Sequence, residues 1–236
     1  MKRIGWMLLP LLLLTAVIAV HAQEAEGKAD KATEKKAEGE TAEKGAEKAA
    51  DADKAEEAAP EKATLDKKAP DFTLKNANGT EVKLSDYKDK IVVLEWINLD
   101  CPWCKKHYED SDALVKLQKE MREAGVVWLT ICSSGEDEQG NFDAATLKKR
   151  IKKVDLNADF YLLDADGTVG HKYEARTTPH CYVIDKEGKL RYRGALDNLR
   201  VRMKDKKLEA VNYVKQAVDA IKDGKAPADT DTKPYG

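Results

Sequence analysis

Cys101 and Cys104 stand two residues apart in the stretch E-W-I-N-L-D-C-P-W-C-K-K-H-Y, residues 95–108. Two thiols at that spacing can clip a metal, anchor a haem, close a structural disulfide or cycle as a redox dithiol. A c-type haem needs histidine directly after the second cysteine, and Lys105 stands there. A structural zinc takes four nitrogen or sulfur ligands, usually as two spaced pairs, and Cys132 and Cys181 form no second pair. Thiolate and imidazole together suit copper, so the Cys pair with a distant His171 or His180 stays as a lesser alternative. No metal and no cofactor is expected.

The elements around the pair favour redox work. Residues 91–97, I-V-V-L-E-W-I, form a nearly continuous apolar run, the pattern of a strand buried on both faces. Residues 105–124 carry Leu114, Leu117 and Met121 at helical spacing, with Gly125 as the stop. Cys101 therefore sits at the carboxyl end of a buried strand, where a helix opens and reactive groups collect in open α/β sheets. Unpaired N–H groups at a helix start stabilise a thiolate, and Lys105 and Lys106 are expected to add positive charge. Cys101 is expected to be the attacking thiol and Cys104, one turn inward, the resolving one. Trp103, and with it Pro102, is placed to touch a partner. His107 is expected to be a solvated helix residue with no role.

Further along, Ala69-Pro-Asp-Phe-Thr-Leu74 and Thr80-Glu-Val-Lys-Leu84 flank Asn78-Gly79, a hairpin signal. Residues 126–132 form a second buried strand, and residues 143–154 an amphipathic helix with Ala144, Leu147, Ile151 and Val154 on one side. Residues 160–163, a turn at Asp166-Gly167, strands at 181–185 and 190–193 and a last helix marked by Leu208, Val211, Val214, Val218 and Ile221 complete the domain. This order predicts an α/β domain with a central mixed sheet flanked by helices. Cys132 and Cys181 fall on buried strands, where unpaired cysteine is commonly an inert core residue.

The first 64 residues differ in kind. Lys2 and Arg3 precede an apolar run over 4–20, and Val20-His21-Ala22 supplies a small-x-small ending, the pattern of a secretory signal cleaved after residue 22. An uncleaved membrane anchor is the alternative. Of residues 23–64, 34 are Ala, Glu, Lys or Asp, which leaves no apolar face to bury; the segment reads as a disordered linker, and residues 65–236 as the domain. The protein is expected to be exported, secreted or periplasmic, where disulfides persist. Its formal net charge of -2 gives no reason to expect nucleic acid as a partner, and a monomer is expected.

A-P-D-F-T-L, the strand and C-P-W-C helix, D-G-T-V-G-H-K-Y, and T-T-P-H-C-Y-V-I-D followed by D-K-E-G-K-L-R-Y-R-G occur in this order over residues 69–224. Together they resemble the thioredoxin superfamily, and within it the redoxin branch of alkyl hydroperoxide reductase/thiol-specific antioxidant and TlpA/ResA-like proteins. The resemblance implies a thioredoxin-like fold, thiol-disulfide oxidoreductase activity on protein disulfide or thiol substrates, and a membrane or soluble thiol electron donor. It implies a cis peptide at Thr178-Pro179 packed against the Cys pair. It also implies that Glu95 is the buried acid behind the second cysteine, able to take the Cys104 proton; the alternative for Glu95 is an outward strand residue. Two departures weigh against the antioxidant peroxidase alternative. The branch's peroxidases carry Pro-x-x-x-Thr/Ser-x-x-Cys, and Leu94 and Asn98 occupy those positions here. Related redoxins with a C-P-x-x-x-K-H-Y segment lack the second cysteine and carry another after P-Y-G; here Cys104 is present and Pro234-Tyr235-Gly236 is last, so resolution is expected to be local. Thioredoxin-fold copper chaperones use CxxxC, another spacing.

Overall fold

A computed structural model describes residues 62–200 and 211–236. The strands and helices are β1 (Thr73–Asn76), β2 (Glu81–Lys83), β3 (Val92–Trp96), α1 (Pro102–Tyr108), α2 (Ala113–Glu123), β4 (Val127–Cys132), α3 (Ala144–Lys153), β5 (Phe160–Leu163), α4 (Thr168–Tyr173), β6 (His180–Ile184), β7 (Leu190–Gly194) and α5 (Tyr213–Lys222). They build a seven-stranded sheet in the order β2-β1-β5-β4-β3-β6-β7. β3, β4 and β5 run parallel, and β1, β2, β6 and β7 pair antiparallel at the two sides.

β3 lies at the centre, between β4 and β6, and all five of its residues are buried. Side chains alternate across a strand, so Val93 packs in the layer of α1, α2, α3 and α5, while Val92, Leu94 and Trp96 pack with Phe72, Val169, Tyr173 and Tyr182 on the other face. The same alternation turns Glu95 to the face of the Cys pair. It is fully buried there.

Residues 105–124, expected as one helix, are two. α1 ends at Tyr108 and α2 begins at Ala113. Glu109 and Asp110 N–H groups both reach the Lys105 carbonyl, and the Ser111 hydroxyl donates to the Lys106 carbonyl. The polar run E-D-S-D thus competes with helix continuation through local hydrogen bonds. α3 starts where the spacing predicts, because Asp143 accepts from the N–H groups of Ala145 and Thr146 at 2.9 and 3.0 Å. The short helix α4 was not anticipated. The last helix is observed from Tyr213; Leu208, assigned to it from the sequence, lies outside the described residues, as do the proposed signal and nearly all of the linker. No helix among the described residues is long and apolar enough to cross a membrane.

Candidate functional site

The chain leaves β3 through a tight turn that aims the Cys pair. The Cys101 N–H donates to the Asn98 carbonyl at 3.0 Å, and the Asn98 side chain accepts from the Asp100 N–H and donates to the Gln139 carbonyl, both at 2.8 Å. Gly140 lies so close that a Cβ there would stand 2.6 Å from the Asn98 amide. Cys101 caps α1, with Pro102 as the first helical residue, a position where its fixed φ and missing N–H cost nothing. Both cysteines are free thiols. Cys101 is 9% exposed and Cys104 is 1% exposed.

The two thiols are driven in opposite directions. Cys101 is lowered to about 5, chiefly by the hydrogen bond from the Cys104 thiol, against the cost of burial and with help from Thr178 and the Cys104 and Trp103 N–H groups. Burial pushes Cys104 well above the ordinary range, and the hydrogen bond it gives to Cys101 raises it further. The lysines do not supply the effect expected of them. Lys105 pairs with Asp100 at 3.4 Å. Lys106 is buried, with its ammonium on the Leu199 carbonyl and over the Trp103 and Tyr235 rings at 5.5 and 5.4 Å. Alkylation of the reduced protein by iodoacetamide is therefore expected to follow a midpoint near pH 5 and level off by pH 7. An ordinary thiol, with a pKa of about 8.5, is almost wholly protonated at that point; a midpoint near that value would contradict this geometry.

Thr178-Pro179 is cis. The Cys101 sulfur lies 3.1 Å from the Thr178 carbonyl oxygen, so the loop before β6 flanks the reactive sulfur. Glu95 lies behind the pair, raised to about 7 by burial and pulled down again by hydrogen bonds from Trp128, Tyr108 and Gln118. Trp103 is partly exposed, its ring 5.2 Å from that of Tyr235. A cleft of about 350 Å³ opens on the other side of the Thr178 loop, lined among others by Asn98, Ser134, Arg176 and Thr178. The structure thus brings Glu95, Cys101, Cys104, Pro102, Trp103, Thr178 and Pro179 into one neighbourhood.

His107 is not solvated. It is 3% exposed, 3.8 Å from Asp197 and 3.3 Å from the Tyr235 hydroxyl, and burial lowers it to about 4. Its partners come from far along the chain, so helical position alone misplaced it. Gly236 packs on the Thr177-Thr178 segment, which puts Pro234-Tyr235-Gly236 beside the Cys pair. His180 lies on the opposite sheet face from Cys181, its Nδ1 3.0 Å from the Tyr182 hydroxyl. Cys132 and Cys181 are buried on β4 and β6, separated by β3. Among the described residues no three His, Cys, Asp or Glu side chains could jointly hold a metal ion.

Comparison with known proteins agrees with this architecture. The family model described as AhpC/TSA matches residues 65–193, and the chain belongs to that family. Its fold is thioredoxin-like. A protein named thioredoxin-like protein YneN from Bacillus subtilis is 32% identical over 128 residues, covering 52% of this chain and 66% of the relative. The thiol-disulfide oxidoreductase ResA of Bacillus thuringiensis is 27% identical over 124 residues, covering 52% and 65%. The chain therefore spans just under two thirds of the length of these curated relatives. The crystal structure of an uncharacterized conserved protein from Geobacillus kaustophilus superposes with a TM-score of 0.62 at 28% identity, over 72% of this chain and 87% of that one.

Proposed function

We propose that this protein is an exported thiol-disulfide oxidoreductase in which Cys101 attacks and Cys104 resolves. One observation carries the reading: two free thiols stand one turn apart at the start of α1, Cys101 9% exposed and against the Thr178 carbonyl, Cys104 only 1% exposed, and this setting drives the first thiol down and the second up. The Cys101 thiolate attacks one sulfur of a protein disulfide; that S–S bond breaks and a mixed disulfide forms, the leaving sulfur taking up a proton. The Cys104 thiol then gives its proton to Glu95 and attacks the Cys101 sulfur. The substrate leaves with both sulfurs reduced, and Cys101-Cys104 is left oxidised. Trp103, Pro102, Thr178 and Pro179 form the ground on which the partner backbone rests, with the cleft beyond Thr178 taking the residues that flank its cysteine.

The same reading assigns residues 1–22 to a signal peptide, 23–64 to a linker and 65–236 to the catalytic domain, acting as a monomer outside the cytoplasm. Electrons for repeated turnover come from a thiol donor, either soluble or in the membrane. The thiol-disulfide activity, though not the segment boundaries, the monomer or the donor, is supported by relatives named as thiol-disulfide oxidoreductases.

Catalysed reduction of insulin by dithiothreitol, read with the reduction potential of the pair, tests it. Because the folded Cys101 ionises below an unfolded thiol, folding releases a proton between pH 5 and the ordinary thiol range, and the dithiol form gains stability as pH rises through that window. A stabilised dithiol makes a more oxidising disulfide. With Cys101 between the thioredoxin value of about 7 and the DsbA value of about 3.5, the potential is expected between about -270 and about -120 mV. No acceleration of insulin reduction would overturn the proposal.

A further inference from the structure

Glu95 is enclosed by neutral donors, and no cation pairs with it among the described residues. The Tyr108 hydroxyl lies 2.9 Å from Oε1 and 3.0 Å from Oε2. Oε2 also receives the Trp128 indole N–H at 2.8 Å and the Gln118 amide at 3.2 Å. The Gln118 amide donates to the Tyr108 hydroxyl as well, at 2.7 Å. Its orientation is fixed from behind, because the Asn157 N–H donates to Gln118 Oε1 at 3.0 Å. These donors come from three elements, α1, α2 and β4, and all are buried. A shell this complete around one carboxylate is more than core packing requires, since an apolar residue on β3 would need none of it.

We propose that Tyr108, Gln118 and Trp128 are positioning residues, a neutral cradle that holds the Glu95 carboxylate ready to accept the Cys104 proton and lets it give that proton up again. The proposal rests on the reading of Glu95 as the proton acceptor. A cationic partner would keep the carboxylate ionised at all working pH values, and burial alone would keep it protonated. Three neutral donors offset part of the burial cost and leave the group balanced near 7. All three reach Oε2 and only the Tyr108 hydroxyl also reaches Oε1, so Oε1 keeps a lone pair open for the incoming proton. The donors do not compete for it. Indole and amide do not titrate in this range, and burial raises Tyr108 well above its ordinary value.

Other titratable groups face Glu95 from the surrounding elements: Cys104 and Tyr108 from α1, Tyr161 from β5 and Cys181 from β6. Each is raised well above its ordinary value by burial first of all, so each keeps its proton near neutrality. Glu95 is the member of this buried layer that changes charge there.

Two measurements test the cradle. The carboxyl carbon of Glu95, labelled with carbon-13, is titrated by NMR in the reduced protein, and the resolving step of a single-turnover disulfide reduction is followed from pH 5 to 9. Both are run on the unaltered chain, Tyr108→Phe, Gln118→Met and Glu95→Gln. Removing a donor to the ionised form raises the midpoint; a shift of about one pH unit is expected for Tyr108→Phe and less for Gln118→Met. Resolution at pH 6 then slows about tenfold for Tyr108→Phe and converges with the unaltered rate by pH 9. A merely structural role would lower the rate evenly across the range and leave the carbon midpoint in place, which would overturn the cradle. If Glu95→Gln keeps the pH profile of the unaltered protein, the proton-acceptor reading of Glu95 fails instead, while the carbon titration still decides whether these donors set its ionisation. Tyr108→Phe loses one oxygen and keeps its ring, so it carries the test should Gln118→Met fail to fold.

Discussion

Replacing Cys101 by serine is expected to abolish both mixed-disulfide formation and insulin reduction, whereas Cys104→Ser is expected to accumulate the mixed disulfide. A serine hydroxyl does not ionise near neutrality, so the first variant has no nucleophile. The second keeps the nucleophile and loses the thiol that would release the partner. The asymmetry follows from depth: Cys104, on the inner side of α1, is 1% exposed against 9% for Cys101 at the helix start, so Cys101 is the sulfur a substrate disulfide meets. Cys104→Ser keeps a hydroxyl donor at the position whose hydrogen bond does most to lower Cys101. Its trap should therefore form at close to the rate of the first step of the unaltered protein, at pH 6 as at pH 9. Non-reducing electrophoresis and mass spectrometry of the adduct read the result. Equal trapping by both variants would show that attacker and resolver are misassigned.

The parts of this site that are local in sequence were legible there. The apolar run over residues 91–97 marks a central strand because only a strand covered on both faces tolerates it. Period-two alternation then leaves Glu95 one of two faces, and the Cys-bearing helix takes one of them. Asp143 and Gly125 bound their helices through backbone chemistry that acts within a few residues. What was hidden depends on distant contacts. Gln118, between Leu117 and Lys119, reads as the polar side of an amphipathic helix; only the approach of Glu95 and Tyr108 makes it interior. His107 reads as solvated for the same reason, and Asp197 and Tyr235 bury it from distant parts of the chain; Lys106, read as a charge near Cys101, is drawn instead to the Leu199 carbonyl. The break between α1 and α2 was written in E-D-S-D, but the apolar spacing on either side masked it.

Reduced protein is expected to react with hydrogen peroxide orders of magnitude more slowly than with a protein disulfide. Both reactions start from the Cys101 thiolate, so its low ionisation does not separate them. Peroxide reduction further needs fixed donors that polarise the O–O bond, each typically worth ~10²–10³ in rate. Three residues before Cys101, where a hydroxyl would serve, stands Asn98, and its amide is already committed to the Gln139 carbonyl and the Asp100 N–H. Leu94, at the position of the peroxidase proline, is fully buried on the sheet face away from the Cys pair. Disulfide exchange asks for less: a thiolate, a surface for the partner chain beside Trp103 and Thr178, and a second thiol one turn away. Stopped-flow tryptophan fluorescence follows both reactions through Trp103, which neighbours the reacting sulfurs in α1. Because Asn98→Thr would free the Gln139 carbonyl and loosen the loop against Gly140, introducing that one hydroxyl should not by itself confer fast peroxide reduction. Peroxide consumption faster than disulfide reduction in the unaltered protein would replace the oxidoreductase reading with a peroxidase one.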